Sequence, residues 1–362
     1  MTQDFFNLTR ADLESYCAAQ GHKAVHARDL FRNTYKSLRD DPWQEPNLPR
    51  ALTRSLAAEF TALPPRLAEA HASAYDGSVK FLVELSDGGR VEAVLMPESR
   101  RITLCLSSQV GCAQGCVFCH TGRMGLTRDL TAGEIVGQLV AAERWIAAHP
   151  EWLAEARLTA GMRITNVVFM GMGEPLDNVE AVAKALRIFT DPYGLALGLA
   201  HISVSTAGHL DGLERLLAMV PKARIALSVH AVDESQRSRI MPINRRWPLA
   251  TVVHRLAELT AGGRGSPVMF QYTMIKGVND SLAAATRLAD LAILLDAKIN
   301  LIPLNEVSAS RLTAPPPETI QEFRDVLHAR GLRVMVRYSK GQDIAAACGQ
   351  LIVKEAPRLM LS

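Results

Sequence analysis

Cysteine is scarce in this chain, with six in 362 residues. In a cytoplasmic setting so few thiols point to metal binding, catalysis or simple burial rather than to a disulfide framework, a transient catalytic disulfide excepted. Long apolar runs are missing too. No stretch approaches the roughly 18 uninterrupted apolar residues of a membrane span, and the opening MTQDFFNLTRADLE is acidic where a secretory leader would be basic. The expectation is a cytoplasmic protein with no membrane segment. Net charge is low, +3, and excludes little by itself. Its distribution says more: nine Lys/Arg stand against four Asp/Glu between Glu214 and Arg264, and five against one between Phe323 and Gly341. Such local excesses suit a polyanionic partner.

What is present is enough for a large core of α/β-barrel size with a small additional domain. The pattern changes character near residue 100. Before it, the helix-like RADLESYCAAQ and RALTRSLAAEF flank the loop RDDPWQEPNLP. Next, KFLVELSDGGRVEAVLMP reads as a hairpin turning at Asp87-Gly88-Gly89. After residue 100 the runs ITLCL, NVVFM, ISVS, IALSV, VMFQYTMI, INLIPL and RVMVRY alternate with helix-like segments. One of these, DNVEAVAKALRIF, sets Val179, Val182, Ala183 and Leu186 on one face. The expected organisation is a helical unit over 1–64, a β extension over 65–100 and a catalytic unit over 101–362.

Strand–helix alternation predicts an α/β fold with a parallel sheet, and periodicity alone does not separate a barrel from an open doubly wound sheet. Polar residues at the strand ends favour the barrel. GMGEP, STAGH, SVHA and NE each follow an apolar run, so Glu174, Ser205, Ser228, His230 and Asn305 would gather at one end of a closed sheet. Half of the cysteines fall in QVGCAQGCVFCHTGRMG, residues 109–125. Cys112, Cys116 and Cys119 form C-x3-C-x2-C, a short loop able to turn three thiolates toward one centre. A fourth ligand for structural zinc is missing, since His120 directly follows Cys119 and is badly placed for the same tetrahedron. Three cysteines suit a 4Fe–4S cluster with one iron open to a small molecule.

With Phe118 before the third cysteine and GMGEP downstream, the chain resembles the radical S-adenosylmethionine (SAM) superfamily. TLCLSSQVGC, RDLTAGEIVGQL, MGMGEPLDN, ALSVHA, MPINRR, NLIPLNE and DIAAACGQL occur in the order seen in the RlmN/Cfr family of RNA adenine methyltransferases. This resemblance implies a partial (β/α)6 barrel. It implies Cys112, Cys116 and Cys119 as ligands of one 4Fe–4S cluster, and Gly173, Glu174, Ser205, Ser228, Val229, His230 and Asn305 as SAM-binding positions. It further implies Cys348 as the cysteine that is methylated, Cys105 as its thiol partner and Glu92 as a proton acceptor. Cys17 matches no family role and reads as a packed side chain.

An adenine carbon flanked by nitrogens is too electron-poor to displace methyl from a sulfonium, whereas a radical adds to it. The family scheme therefore uses two SAM per turnover, an S-methylcysteine, a covalent protein–RNA intermediate and a closing disulfide between Cys105 and Cys348. Expected partners are 23S ribosomal RNA and tRNA, met by clustered cations such as Arg237, Arg239, Arg245, Arg246, Arg333, Arg337 and Lys340, or by Lys23, Arg28, Arg32 and Lys36 in the helical unit. A low-potential donor such as flavodoxin and a monomeric state are also expected. Proline at 175 resembles the carbon-2 more than the carbon-8 enzymes. The sequence departs from the family at His120, where a small residue is commoner, and in VSASRLTAPPPETI, which is shorter than the usual loop. The rival readings are a carbon-8 enzyme on the same scaffold and a zinc-bearing RNA-binding module without catalysis.

Overall fold

The structure, a computed structural model, describes residues 2–261, 267–305 and 311–351. Its N-terminal helices α1 (Arg10–Ala19), α2 (Val25–Phe31) and α3 (Arg50–Glu59) include both expected ones. Thr9 and Asp12 close a capping box on α1, satisfying two backbone N–H groups that would otherwise lack partners. β1 (Gln3–Asp4) pairs with β2 (Phe60–Thr61) and ties the two ends of this unit together. Cys17 is fully buried among its apolar side chains.

A ten-stranded sheet dominates the rest. Its antiparallel part is β3 (Arg66–Ala72), β4 (Val79–Glu84) and β5 (Arg90–Glu98), with the β4–β5 turn at the expected Asp-Gly-Gly. β5 then pairs antiparallel with β6 (Arg101–Cys105), so the β extension is continuous with the catalytic sheet. From β6 onward the strands are parallel in the order β9 (Asn166–Phe169), β10 (Ile202–Thr206), β11 (Arg224–Ser228), β12 (Met269–Met274), β13 (Lys298–Pro303) and β14 (Val334–Val336). All seven β-rich runs of the sequence are strands of this sheet.

Helices connect the parallel strands, as a parallel pair requires. α5 (Ala132–Ala148) and α6 (Pro150–Glu155) lie between β6 and β9. α7 (Val179–Thr190) and α8 (Leu210–Met219) follow β9 and β10, and α9 (Glu234–Ile240) with α10 (Leu249–Thr260) follows β11. α11 (Leu282–Ile293) and α12 (Pro317–Ala329) complete the set. Val179, Val182, Ala183 and Leu186 of α7 are all buried as the 3.6-residue period demands. Each larger member contributes about 1.5–3 kcal/mol of burial. No described helix is long and apolar enough to cross a membrane.

Among the described residues, no hydrogen-bonded strand pair joins β14 to β3, so the sheet is not closed by a ladder. The segment after β14 bridges the gap with side chains and turns instead. Asp343 accepts from Ser73 Oγ at 2.8 Å and from Ala74 N at 3.1 Å, and Asp76 accepts from Gly341 N at 2.8 Å. Lys80 Nζ reaches Ala345 O at 3.3 Å, and Lys340 Nζ reaches Pro97 O. This bridge carries Cys348 to the barrel interior.

Candidate functional site

The three-cysteine loop is set by a small ribbon that the sequence did not announce: β7 (Gln109–Cys112) pairs antiparallel with β8 (Gly125–Asp129). Gly111 makes the ribbon fit. Its φ is +81°, and a Cβ there would lie 1.9 Å from Gly125 O, so only glycine is tolerated. Beyond Cys112 the loop turns back through a Cys119 N–H bond to Cys116 O at 3.1 Å and enters the short helix α4 (His120–Met124). Val117 fixes its outer side: its N–H donates to Ile240 O at 3.1 Å, and its carbonyl accepts from Arg123 Nη2 at 2.9 Å. Cys112, Cys116 and Cys119 all line one cavity in the barrel. Burial pushes the Cys112 thiol up to about 12 and raises Cys116 further, with the neighbouring sulfurs adding to both. A positively charged group must therefore expel these protons on binding.

The strand-end residues converge on the same cavity: Gly173, Glu174, Ser205, Ser228, His230 and Asn305 line it. Gly173 has φ +103°, and a Cβ there would come within 2.7 Å of Gln109 Cβ. Glu174 is buried; its Oε2 accepts from Ala207 N at 2.7 Å and its Oε1 from Leu176 N at 3.1 Å. Burial still raises its pKa to about 7. The carboxyl thus braces the loops after β9 and β10 while bordering the cavity. Ser205 Oγ and Ser228 Oγ face each other at 3.5 Å. His230 occupies a left-handed backbone conformation, φ +54°, and its Nδ1 accepts from Thr273 N at 2.9 Å. With Nδ1 an acceptor, the hydrogen of the neutral ring sits on Nε2. Burial, with Arg237 nearby, lowers the ring's pKa to about 3, so it is a neutral donor at any physiological pH.

Cys348 closes the site. Its carbonyl accepts from Asn305 Nδ2 at 2.9 Å, Gly349 O accepts from His120 N at 2.8 Å, and Leu351 O accepts from Thr121 Oγ1 at 2.7 Å. These bonds clamp the bridge segment onto the cysteine loop. Cys105, at the end of β6, lines the same cavity. Both are free thiols, Cys105 buried and Cys348 accessible from the cavity although surrounded by protein. Burial raises Cys105 to about 12 and Cys348 to about 11. The charge of Cys348 adds to the first shift, and the Arg337 cation opposes both. Arg337 itself lines the cavity.

Two expected site residues do not line it. Val229 is buried in the core, where its N–H donates to Gln271 O and its carbonyl accepts from Arg237 Nε. Glu92 is buried on the β5 face shared with Val94 and Met96, which do line the cavity. It pairs there with Lys80 Nζ at 3.1 Å. Arg237 corrects the RNA-contact expectation outright. It is fully buried, donating to Val229 O, Ser228 O, Ala207 O and Asn244 Oδ1 at 2.6–2.9 Å. Its guanidinium ties the ends of β10 and β11 together and is closed to any partner. Arg239, Arg245 and Arg246 are exposed, as are Lys23, Arg28, Arg32 and Lys36. Residues 306–310 of the short loop after Asn305 lie outside the described residues.

Three participants escaped sequence reasoning. Gln109 Oε1 accepts from Glu174 N at 2.8 Å and its Nε2 donates to Asp129 at 2.7 Å, joining the GMGEP loop to the ribbon. Asn300 Nδ2 donates to Gln271 Oε1 at 2.7 Å, while its buried Oδ1 has no partner among the described residues. Asn300 lines the cavity, which therefore holds an acceptor awaiting a donor. Lys80 connects Glu92 to the bridge. A polar residue inside an otherwise apolar strand was the available signal for Asn300; Gln109 and Lys80 had none.

Comparison with known proteins agrees with this geometry. The radical SAM superfamily model matches residues 106–289. The dual-specificity RNA methyltransferase RlmN of Bdellovibrio bacteriovorus is 39% identical over 359 residues, covering 99% of this chain and 86% of that protein. Its counterpart in Geotalea uraniireducens is 41% identical over 355 residues, 96% of each chain. The crystal structure of a radical SAM methyltransferase from Sphaerobacter thermophilus superposes with a TM-score of 0.86 at 40% identity, covering 96% of this chain and 99% of that one.

Proposed function

The chain belongs to the RlmN family of the radical SAM superfamily, and on that footing we propose that it methylates carbon 2 of an adenine in 23S ribosomal RNA and in tRNA, through a methylated Cys348 and a covalent protein–RNA intermediate. The observation that carries this reading is the bridge after β14, which delivers Cys348 into the cavity bordered by Cys105 and by the three-cysteine loop. A zinc module has no use for that delivery.

The donor set fits a 4Fe–4S cluster better than a single ion. Cys112, Cys116 and Cys119 border one cavity, yet no three described His, Cys, Asp or Glu side chains gather tightly enough to hold one metal ion. Tetrahedral zinc, at about 2.3 Å per Zn–S bond, needs its sulfurs about 3.8 Å apart. A four-iron cluster accepts a wider spread. The unpartnered Asn300 Oδ1, the neutral Nε2–H of His230 and the paired serines offer polar groups for SAM. When bound, the cluster and SAM supply a methyl group and a 5′-deoxyadenosyl radical, with two SAM spent per turnover.

The chain's own residues do the remainder. Cys348 Sγ, open to the cavity, loses its proton and takes the methyl. After hydrogen abstraction from that methyl, its carbon adds to the adenine and links RNA to Cys348. Glu92 accepts the ring proton, and the unpaired electron left on the adduct would return to the cluster that Cys112, Cys116 and Cys119 would hold, leaving a closed-shell S–CH2–adenine link. Cys105 then attacks Cys348 Sγ: an S–S bond forms, the S–CH2 bond breaks, and the electron pair returns to the carbon, which is protonated to methyl. Arg337 favours the thiolate that starts this step. An external thiol must reopen the disulfide, and a low-potential donor such as flavodoxin must supply the electron for SAM cleavage. The reaction takes place on a monomer in the cytoplasm.

The two thiols give the test. Cys348→Ala has no sulfur to methylate and is expected to give neither product nor adduct. Cys105→Ala is expected to accumulate RNA-linked protein that survives denaturation and collapses on nuclease treatment. Absence of that adduct, or equal adduct in both variants, refutes the mechanism. Chromatography of the released methyladenosine against 2-methyl and 8-methyl standards is expected to show carbon 2, and carbon 8 refutes that assignment.

A further inference from the structure

The outer side of the three-cysteine loop is thinly covered, and what covers it is distinctive. Arg123 and Ile240 hold the two sides of Val117, which lies between Cys116 and Phe118. Pro242 Cγ lies 3.7 Å from where a Cβ on Gly115 would be. The loop that binds the cofactor and the segments 123–126 and 239–245 are therefore one residue layer apart. Arg123, Arg239 and Arg245 are exposed there, and Arg239 and Arg245 have no ion pair among the described residues. Met124 and Leu126, beside Arg123, are 38% and 42% exposed. None of the five lines the cavity of Cys105 and Cys348.

We propose that Arg123, Met124, Leu126, Arg239 and Arg245 form the docking surface for an acidic one-electron donor protein. The proposal rests on the reading that the three cysteines hold a redox cluster. Electron transfer needs close approach to that cofactor, and this surface offers it through a single layer of protein. One electron leaves the donor's cofactor and enters the group held by the three thiols; no atom or proton is transferred. Cations steer an acidic partner, and an apolar centre flanked by charge gives a contact that forms and dissociates readily. RNA is the less suited occupant, because its adenine must reach Cys348 in the cavity, which none of these five side chains lines.

The test compares the unmodified enzyme with an Arg239→Glu/Arg245→Glu double variant, using an acidic flavodoxin as probe. The variant's flavodoxin affinity, measured anaerobically at low ionic strength, is expected to fall at least about tenfold and to lose its salt dependence. An Arg239→Lys/Arg245→Lys variant is expected to retain both. Iron content, thermal unfolding, tRNA affinity and methylation driven by dithionite are expected to match the unmodified protein. Unchanged flavodoxin affinity overturns the docking surface, and so does a loss of tRNA affinity in its place. Failure of the unmodified, iron-loaded enzyme to methylate RNA with dithionite counts instead against the functional reading, so the two failures are distinguishable.

Discussion

Replacing Arg237 with leucine separates a buried brace from a surface cation. Four hydrogen bonds from the guanidinium are lost: to Val229 O at 2.9 Å, Asn244 Oδ1 at 2.6 Å, Ala207 O at 2.7 Å and Ser228 O at 2.9 Å. A bond from a charged donor is worth about 1.5–3 kcal/mol, so the gross loss is about 6–12 kcal/mol. Part returns, because leucine does not bury a charge. Burial pulls the guanidinium from 12.5 down to about 10, and at about 1.4 kcal/mol per pKa unit this relief is worth roughly 3 kcal/mol. Val229 O keeps a bond from Ala231 N, and Asn244 Oδ1 keeps one from Leu249 N. The net expectation is a loss of about 3–6 kcal/mol. For a chain of this length the unfolding midpoint moves roughly 1.3 °C per kcal/mol, giving a fall of about 4–8 °C by calorimetry of anaerobically prepared protein. SAM affinity is expected to fall as well, since the ends of β10 and β11 carry Ser205 and Ser228. Arg239→Leu, an exposed control, is expected to shift the midpoint by less than about 1 °C. An Arg237→Leu protein with an unchanged midpoint and weakened RNA binding would refute the reasoning.

Gly111→Ala is expected to force the ribbon apart, because its Cβ would collide with Gly125 O at 1.9 Å. Iron bound after anaerobic reconstitution measures the damage to Cys112, and full iron loading contradicts this account. For His230, the folded pKa near 3 lies below the ordinary 6.5, so the unfolded chain binds the extra proton first. Its contribution to stability is therefore complete above about pH 6.5 and is lost as pH falls toward 3, at up to about 1.4 kcal/mol per pH unit. His230→Gln is expected to flatten denaturant midpoints across that window, and parallel curves for the two proteins would show that the ring does not titrate this way.

Much of the site was legible because its signals are local. The C-x3-C-x2-C spacing needs only a short loop, the α7 stripe needs only a helical period, and polar residues straight after apolar runs mark strand ends whatever sheet they join. The hairpin at Asp87-Gly88-Gly89 is likewise written in turn chemistry. What the tertiary structure decided was long-range. Val229 and His230 are adjacent in sequence, yet one enters the core and the other the cavity, a choice set by the left-handed turn at His230 and its bond to Thr273. Arg237 shares a basic stretch with Arg239, but only the packing of the β10 and β11 ends shows that its charge is enclosed by carbonyls. The meeting of Cys105 with Cys348 depends on a sheet that stops short of closing and a bridge held by Asp76, Asp343 and Lys80. No periodicity encodes that bridge, because its partners lie in a hairpin hundreds of residues earlier and its bonds run through single side chains rather than through a repeating ladder.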